Sequence, residues 1–453
     1  MRLSRRECIL AAASLAGSVL FFVLFMAHFG EQWYTTGGNQ DYYWTLAQNL
    51  HDHGAFSLRT EPPYTPTGLT TPLYPLILSA IAVPFHSAYP AIVLNFLLFA
   101  AAAVLLYRTM KEVFDERVAC FSALVFGIEP WNVFSVNFAN TEALFLFLLV
   151  SSLFLLRKAL AEGRERLFFV SGLVLGAAGM TRPVAVYLPL LIAVFILWYR
   201  RSSGGFVRSL RFAGVLLAGC LLVFTPWLAR NWEVFHAVSL SAKGPYTVYF
   251  YDVAELVKYR DHISAQESFE RLFGDVQQRA AEISEPQELF NPAYGSLLNT
   301  LSFNQIMSSP FLFAKLHLVA LGTFFVSDGY RLLLQYFGAL SGTMPNITSL
   351  VASGNVVAVW EYLRSDPLAG SVFVLGALFW GLVTLAAFAA LPLALWREER
   401  RERRFFIGLF VALMLYFALL TGLAALARYR VQITPFLFPL AAYSVSVILR
   451  RYD

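Results

Sequence analysis

The run CILAAASLAGSVLFFVLFMAHF, residues 8–29, contains no Asp, Glu, Lys or Arg and follows Arg2, Arg5 and Arg6. A helix of about 20 residues crosses about 30 Å of hydrocarbon while satisfying its own backbone hydrogen bonds. The run is longer than the apolar core of a secretory signal and has no small-x-small cleavage pattern before His28, so it is expected to stay as a spanning helix with its N-terminus in the cytoplasm. Similar runs recur along the chain. Of its 453 residues, 58% are hydrophobic and 14% charged, against about 25% charged in a soluble domain. The composition predicts an all-α polytopic membrane protein and excludes a soluble one.

The basic residues sit in short clusters between apolar runs: Arg108/Lys111/Arg117, Arg157/Lys158/Arg164/Arg166, Arg200/Arg201/Arg208/Arg211, Arg397 with Arg400/Arg401/Arg403/Arg404, and Arg450/Arg451. Placing them inside with the N-terminal three fixes the topology and explains the net charge of +5 as membrane anchoring, which argues against nucleic-acid binding. Spans are predicted near residues 8–29, 90–107, 118–130, 142–156, 167–181, 184–199 and 212–229. Residues 73–85, with Pro75 and Pro84, are too short to span and are read as an interfacial helix. After the polar residues 231–310, with an amphipathic helix expected around 264–283, further spans are predicted at 371–396, 405–427 and 431–449, and residues 311–326 form a short apolar run. The expected total is about 10–12. This gives an N-terminal transmembrane catalytic module (1–230, first outer loop 30–89), an extracytoplasmic loop or small subdomain (231–310) and a C-terminal transmembrane region (311–453). Cys8, Cys120 and Cys220 have no metal-ligand spacing and suggest no disulfide framework.

Against this topology the informative residues are charges at the outer ends of spans. Gly37-Gly38-Asn39-Gln40-Asp41-Tyr42-Tyr43-Trp44 puts a carboxylate just past the first span. Tyr42, Leu46, Ala47 and Leu50 then mark the apolar stripe of an interfacial helix. Glu142 opens the fourth span in Asn140-Thr141-Glu142, where a negative charge also suits a helix N-terminus. Arg182, Arg230, Arg428 and Arg430 lie in Thr181-Arg182-Pro183, Pro226-Trp227-Leu228-Ala229-Arg230-Asn231 and Ala427-Arg428-Tyr429-Arg430. Guanidinium groups at a membrane face need partners. A lipid phosphate suits them through forked, charge-assisted hydrogen bonds, while snorkelling to bulk headgroups or pairing with a local acid is the simpler alternative.

A carboxylate beside such cations suggests group transfer from a phosphate-bearing lipid. The departing phosphate needs no general acid, because arginines stabilise its charge. One base suffices, and a carboxylate with the ordinary pKa of about 3.9 is ionised at neutral pH.

The first outer loop, Asp41-Tyr42-Tyr43-Trp44-Thr45-Leu46-Ala47-Gln48-Asn49-Leu50 followed by Gly54-Ala55-Phe56 and Pro72-Leu73-Tyr74-Pro75, resembles that of the GT-C glycosyltransferases related to protein O-mannosyltransferases and lipid A aminoarabinose transferase. Thr141-Glu142, Thr181-Arg182-Pro183, Pro226-Trp227 with Arg230-Asn231, and Arg428-Tyr429-Arg430 with Pro435 are similar to later family motifs in the same order. The resemblance implies a GT-C-like bundle in the plasma (inner) membrane of a bacterium or archaeon, with both termini cytoplasmic. It implies an extracytoplasmic site, a polyprenyl-phosphate sugar donor and a cell-envelope acceptor. It further implies inversion at the anomeric carbon, Asp41 as catalytic carboxylate, Glu142 as a second acid, and Arg182, Arg230, Arg428 and Arg430 as donor-phosphate ligands. The lysine that some relatives use for the lipid phosphate has Lys243 as its candidate here. Many relatives carry an acidic pair where this chain reads Asp41-Tyr42, which speaks against a divalent metal, and no cofactor is firmly implied. A polytopic transporter or flippase of a lipid-linked or small anionic substrate is the alternative, and a noncatalytic membrane subunit a third reading.

Overall fold

Ser4 starts the first helix through a capping box: its Oγ accepts the Glu7 N–H and Glu7 Oε2 accepts the Ser4 N–H at 2.8 Å. The structure, a computed structural model, describes residues 3–30, 42–200, 205–340, 350, 354–424 and 427–449, so Asp41 lies outside the described residues. In chain order the principal helices are α1 (Arg5–Phe29), α2 (Tyr43–His53), α3 (Leu73–Ile81), α4 (Tyr89–Val113), α5 (Glu116–Ile128), α6 (Glu142–Glu162), α7 (Glu165–Thr181), α8 (Leu188–Arg200) and α9 (Phe206–Phe235). They continue with α10 (Lys243–Thr247), α11 (Ala254–Asp261), α12 (Ala265–Gln277), α13 (Gly295–Ser308), α14 (Pro310–Val326), α15 (Pro367–Arg397), α16 (Arg401–Leu420) and α17 (Thr434–Leu449).

Seven helices among the described residues are long and apolar enough to cross a membrane: α1, α4, α6, α9, α15, α16 and Arg428–Leu449, which contains α17. The shorter α5, α7, α8 and α14 pack in the same bundle, α5 against α4 and α17, α7 between α6 and α9, α8 against α9, and α14 against α15. By length and composition the described residues supply seven spans, or eight if the bent pair α13–α14 counts as one, where the sequence suggested about 10–12. Residues 73–85 form α3 and a 3-10 turn, Val83–Phe85, as a short apolar unit packed on α2.

Ion pairs tie one end of this bundle together. Glu7 accepts from Arg108 Nε at 2.6 Å, joining the start of α1 to the end of α4, and Arg6 pairs with Glu116. Arg157 of α6 reaches Glu112 at 2.7 Å and Glu402 at 3.3 Å. Arg403 donates to the carbonyls of Val113 and Phe114 at 3.0 and 2.9 Å and pairs with Glu398 at 2.7 Å. This basic end is the one that the positive-inside bias assigns to the cytoplasm.

Within the hydrocarbon, helices associate by close packing of small residues rather than by a hydrophobic drive. A Cβ at Gly172 of α7 would lie 2.1 Å from the Leu216 carbonyl of α9, and one at Gly219 would lie 2.4 Å from the Phe169 carbonyl. Only glycine permits that backbone approach.

At the other end, residues 236–309 build their own apolar cluster from Tyr249, Val253, Val257, Leu272, Val276, Ile283, Leu289, Leu298 and Leu301. The amphipathic helix expected around 264–283 is α12, which Ser264 caps in a second capping box and which ends at Gln277, ahead of the turns that lead to Ile283. Its Leu272 and Val276 enter the cluster. Helix α13, with the preceding Pro292–Tyr294 turn, meets α14 at a 100° bend across Ser309, where Pro310 starts the new helix. The cluster therefore rests on the bundle end through a sharp corner. In α2 the buried stripe is Tyr43, Leu46 and Ala47 rather than one running through Tyr42, because Tyr42 takes the left-handed φ of 59° and stands outside the helix.

Gly172→Ala is expected to separate α7 from α9 and destabilise the protein by about 1–3 kcal/mol. Gly214→Ala, on α9 with nothing within 4 Å of its built Cβ, is expected to leave stability unchanged or raise it by up to about 1 kcal/mol. Thermal unfolding of the two purified variants checks the contrast.

Candidate functional site

The first residue of α6 and the residue that ends α7 are the two charges the bundle brings closest here. Arg182 Nη1 lies 3.0 Å from Glu142 Oε1, with both side chains largely buried, and the guanidinium sits 5.8 Å from the Phe145 ring centroid. Pairing at the membrane face offsets the desolvation that either charge alone would suffer. The second oxygen, Glu142 Oε2, is buried with no hydrogen-bond partner among the described residues. Tyr74 lies within electrostatic range of that carboxylate and of Tyr43, whose ring it meets edge-on at 5.6 Å, and its own hydroxyl is buried beside the Asn95 side chain. Tyr43 opens α2, two residues after Asp41.

Arg230 is held differently. Aromatic rings of Trp227, Phe235 and Phe56 lie 4.7, 5.0 and 5.7 Å from its guanidinium carbon. Its Nη1 donates to the Thr67 carbonyl at 3.1 Å and to Asn231 Oδ1 at 2.8 Å. Among the described residues no carboxylate pairs with it in a salt bridge. The same short loop is gripped from the other side, since Ala242 N–H donates to the Gly68 carbonyl at 2.7 Å and the Ser241 hydroxyl donates to the Leu69 carbonyl. Lys243 follows directly at the start of α10, its N–H donating to Ser241 Oγ at 3.0 Å. A Cβ at Gly68 would come within 2.3 Å of Pro292 Cγ, so the loop wedges tightly between α9 and the 236–309 cluster. Helix α10 also packs on the Pro183–Ala185 turn that follows Arg182. Burial, with Tyr251 and Tyr42 nearby, pushes the Tyr246 phenol of α10 up to about 12.

Arg428 and Arg430 lie on the 3-10 helix Ala427–Ile433, which packs against α6. Arg428 Nη2 is 3.3 Å from the Tyr429 hydroxyl, with the ring centroid 4.9 Å away. Arg430 is buried: its Nη1 donates to the Phe324 and Phe325 carbonyls at 3.2 and 3.1 Å, its Nη2 donates to the Ser327 carbonyl, and Trp380 lies beneath it at 3.7 Å. It thus caps the carbonyl end of α14.

Sequence reasoning passed over two acids at this end. Glu129, buried just after α5, accepts the Asn132 N–H at 2.7 Å and the Tyr330 hydroxyl at 3.2 Å. Its signal was an acid followed by Pro130 at the close of an apolar run. Asp252, buried directly after the aromatic run Tyr246–Tyr251, accepts the Leu423 N–H at 2.7 Å. No three of His, Cys, Asp and Glu gather as metal ligands among the described residues, and His53 instead stacks on Tyr64 at 4.1 Å.

Residues 70–229, under half of the chain, match the family model described as dolichyl-phosphate-mannose-protein mannosyltransferase. No curated protein matches the chain by sequence. The oligosaccharyltransferase of Archaeoglobus fulgidus, in its complex with Zn and sulfate, superposes with a TM-score of 0.50 at 13% identity, over 99% of this chain and 49% of that one. The same enzyme tethered to an acceptor peptide gives 0.50 at 16% identity over 97% and 50%. The chain has the GT-C fold. It spans about half the length of those oligosaccharyltransferase structures. Arabinosyltransferase EmbB from Mycobacterium smegmatis is more remote, with a TM-score of 0.36 at 12% identity over 100% of this chain and 42% of that one. Within this GT-C bundle the family match begins at Thr70, beside the loop that Arg230 holds, and ends at Ala229, so Tyr74, Glu142 and Arg182 fall inside it and Arg230 directly follows it.

Arg430→Met is expected to cost about 3 kcal/mol or more, because it strips carbonyl acceptors of a charged donor in a buried setting. Arg230→Met, which removes a half-buried cation with fewer bonds, is expected to cost less. Comparing the melting temperatures of the two variants in detergent checks the difference.

Proposed function

We propose that this protein is a membrane glycosyltransferase that moves a sugar from a polyprenyl-phosphate donor to a cell-envelope acceptor, at the bundle end opposite the basic ion-pair ring and therefore outside the cytoplasm. One observation carries the reading. On a fold shared with an oligosaccharyltransferase, the Glu142–Arg182 pair, aromatic-held Arg230, the start of α10 at Lys243 and the Ala427–Ile433 helix are all drawn to that end. Charges at helix ends rather than at mid-bilayer suit a headgroup reaction better than a transport path.

In this reading the donor's phosphate meets Arg230, Lys243 and Arg428, with Arg182 held ready by Glu142. Arg230 is the strongest candidate, since its aromatic surroundings fix the guanidinium plane without neutralising it. Arg430 acts from behind by holding the end of α14. Asp41 takes the proton from the acceptor hydroxyl or amine. The acceptor's lone pair attacks the anomeric carbon from the face opposite the phosphate, and the carbon–oxygen bond to the phosphate breaks with its electron pair leaving on the lipid phosphate. The configuration inverts, and the cations stabilise the departing charge. No alkoxide departs, so no second carboxyl group is needed as acid. Glu142 keeps Arg182 in place. No set of ligands for a divalent ion is assembled among the described residues, and no step is routed through one.

With purified protein and a radiolabelled polyprenyl-phosphate sugar, Asp41→Asn is expected to lower turnover by about 10²–10⁴, the worth of a positioned base, while the donor still binds. Arg230→Ala is expected to weaken donor binding. Transfer that survives in Asp41→Asn would overturn the assignment of the base, and a wild-type protein that never releases labelled sugar from the lipid would overturn the function.

A further inference from the structure

The 3-10 turn Gly422–Ala424 is held by a side chain from another part of the chain. Residues Val248–Val253 form a π-helical turn between α10 and α11, a rare widening of the helix often met at functional positions. Tyr249, Phe250 and Val253 enter the apolar cluster of residues 236–309. Asp252, 6% exposed, meets the link after α16: its Oδ1 accepts the Leu423 N–H at 2.7 Å. Gly422 adopts φ +67°, and a Cβ there would lie 2.4 Å from both carboxylate oxygens. The carboxylate thus lies flat against a left-handed glycine and takes a charge-assisted bond from the next residue. Neither half of this contact tolerates a different partner: an alanine at 422 meets both strain and collision, and an apolar side chain at 252 leaves a backbone N–H without its acceptor.

Five residues beyond Leu423 comes Arg428, on the Ala427–Ile433 helix. We propose that Asp252 is a positioning residue that couples the 236–309 cluster to this helix and so sets where Arg428 stands for the lipid phosphate. The inference rests on the donor-phosphate reading given above. It makes the cluster a strut, fixed to the bundle at the Thr67–Leu69 loop on one side and at Gly422 on the other. Any acceptor chemistry housed in the cluster is then mechanically linked to the donor's cations. Asp252 does not itself touch the phosphate in this scheme, because its carboxylate would repel it.

The test uses the full chain in nanodiscs, with undecaprenyl phosphate lacking sugar as the binding probe and Arg428→Ala as reference. Asp252→Ala and Gly422→Ala are each expected to weaken probe binding about three- to thirtyfold and to raise the donor KM with kcat maintained. The double variant is expected to bind no worse than the weaker single variant, because both changes break one contact. Asp252→Asn keeps an oxygen for the Leu423 N–H at the same volume and is expected to recover most of the affinity, which a variant with general unfolding would not do. Undiminished binding in Asp252→Ala and Gly422→Ala, with Arg428→Ala weakened, overturns the coupling alone, as do losses that multiply in the double variant. A wild-type protein that does not bind the probe overturns the donor-phosphate reading and this inference with it.

Discussion

A hydrocarbon solvent leaves a charge two choices, to leave for the interface or to find a partner, and the organisation of this protein follows from that constraint. At one end the choice is pairing across helices. Glu7 with Arg108, Arg157 with Glu112 and Glu402, and Arg403 with Glu398 and the carbonyls that close α4 join segments far apart in sequence into one rim. Such a rim fixes the axial register of the helices, while backbone contacts such as Gly172 against Leu216 fix their spacing. The far ends of α6, α7 and α9 are thereby held at set heights.

At that far end the charges are distributed unevenly, and the differences assign roles. Arg430 has carbonyl partners on both Nη atoms and is buried over Trp380, so its charge is spent within the protein. Arg182 has Glu142. Arg230 has rings and carbonyl oxygens, which orient a guanidinium without cancelling its charge. Under the proposed function a lipid phosphate would meet these cations in very different states, with Arg230 held by rings and carbonyls rather than by a carboxylate. The short loop at residues 67–69 ties Arg230 to the segment that runs into Lys243, because Arg230, Ser241 and Ala242 all bond to its carbonyls.

Much of the fold was legible in the sequence because hydrophobic run length is a direct consequence of bilayer thickness. The short, proline-marked residues 73–85 were read correctly as too short to span, and the amphipathic pattern around residues 264–283 marked α12. Less legible was anything set by tertiary partners. Nothing local distinguishes Arg430 from Arg230, since both are arginines at the ends of apolar runs, and only the position of α14 decides that one is a helix cap. Tyr42 looked like part of an apolar stripe, but a left-handed backbone turned it out of the helix. Asp252 was hidden behind an aromatic run, its role visible only once Gly422 stands beside it. Asp41 carries the chemical proposal on its sequence setting and lies outside the described residues.

The account stands on a lipid phosphate being received at the end of the bundle remote from the basic rim. A cryo-electron-microscopy map of the wild-type protein in nanodiscs with a bound polyprenyl-phosphate sugar tests this most directly. The account predicts phosphate density within hydrogen-bonding reach of Arg230 and at least one of Arg182, Lys243 and Arg428, with the prenyl chain running into the bilayer beside α9. Phosphate density at the Arg108–Arg403 rim, or none at either end under saturating ligand, would contradict it.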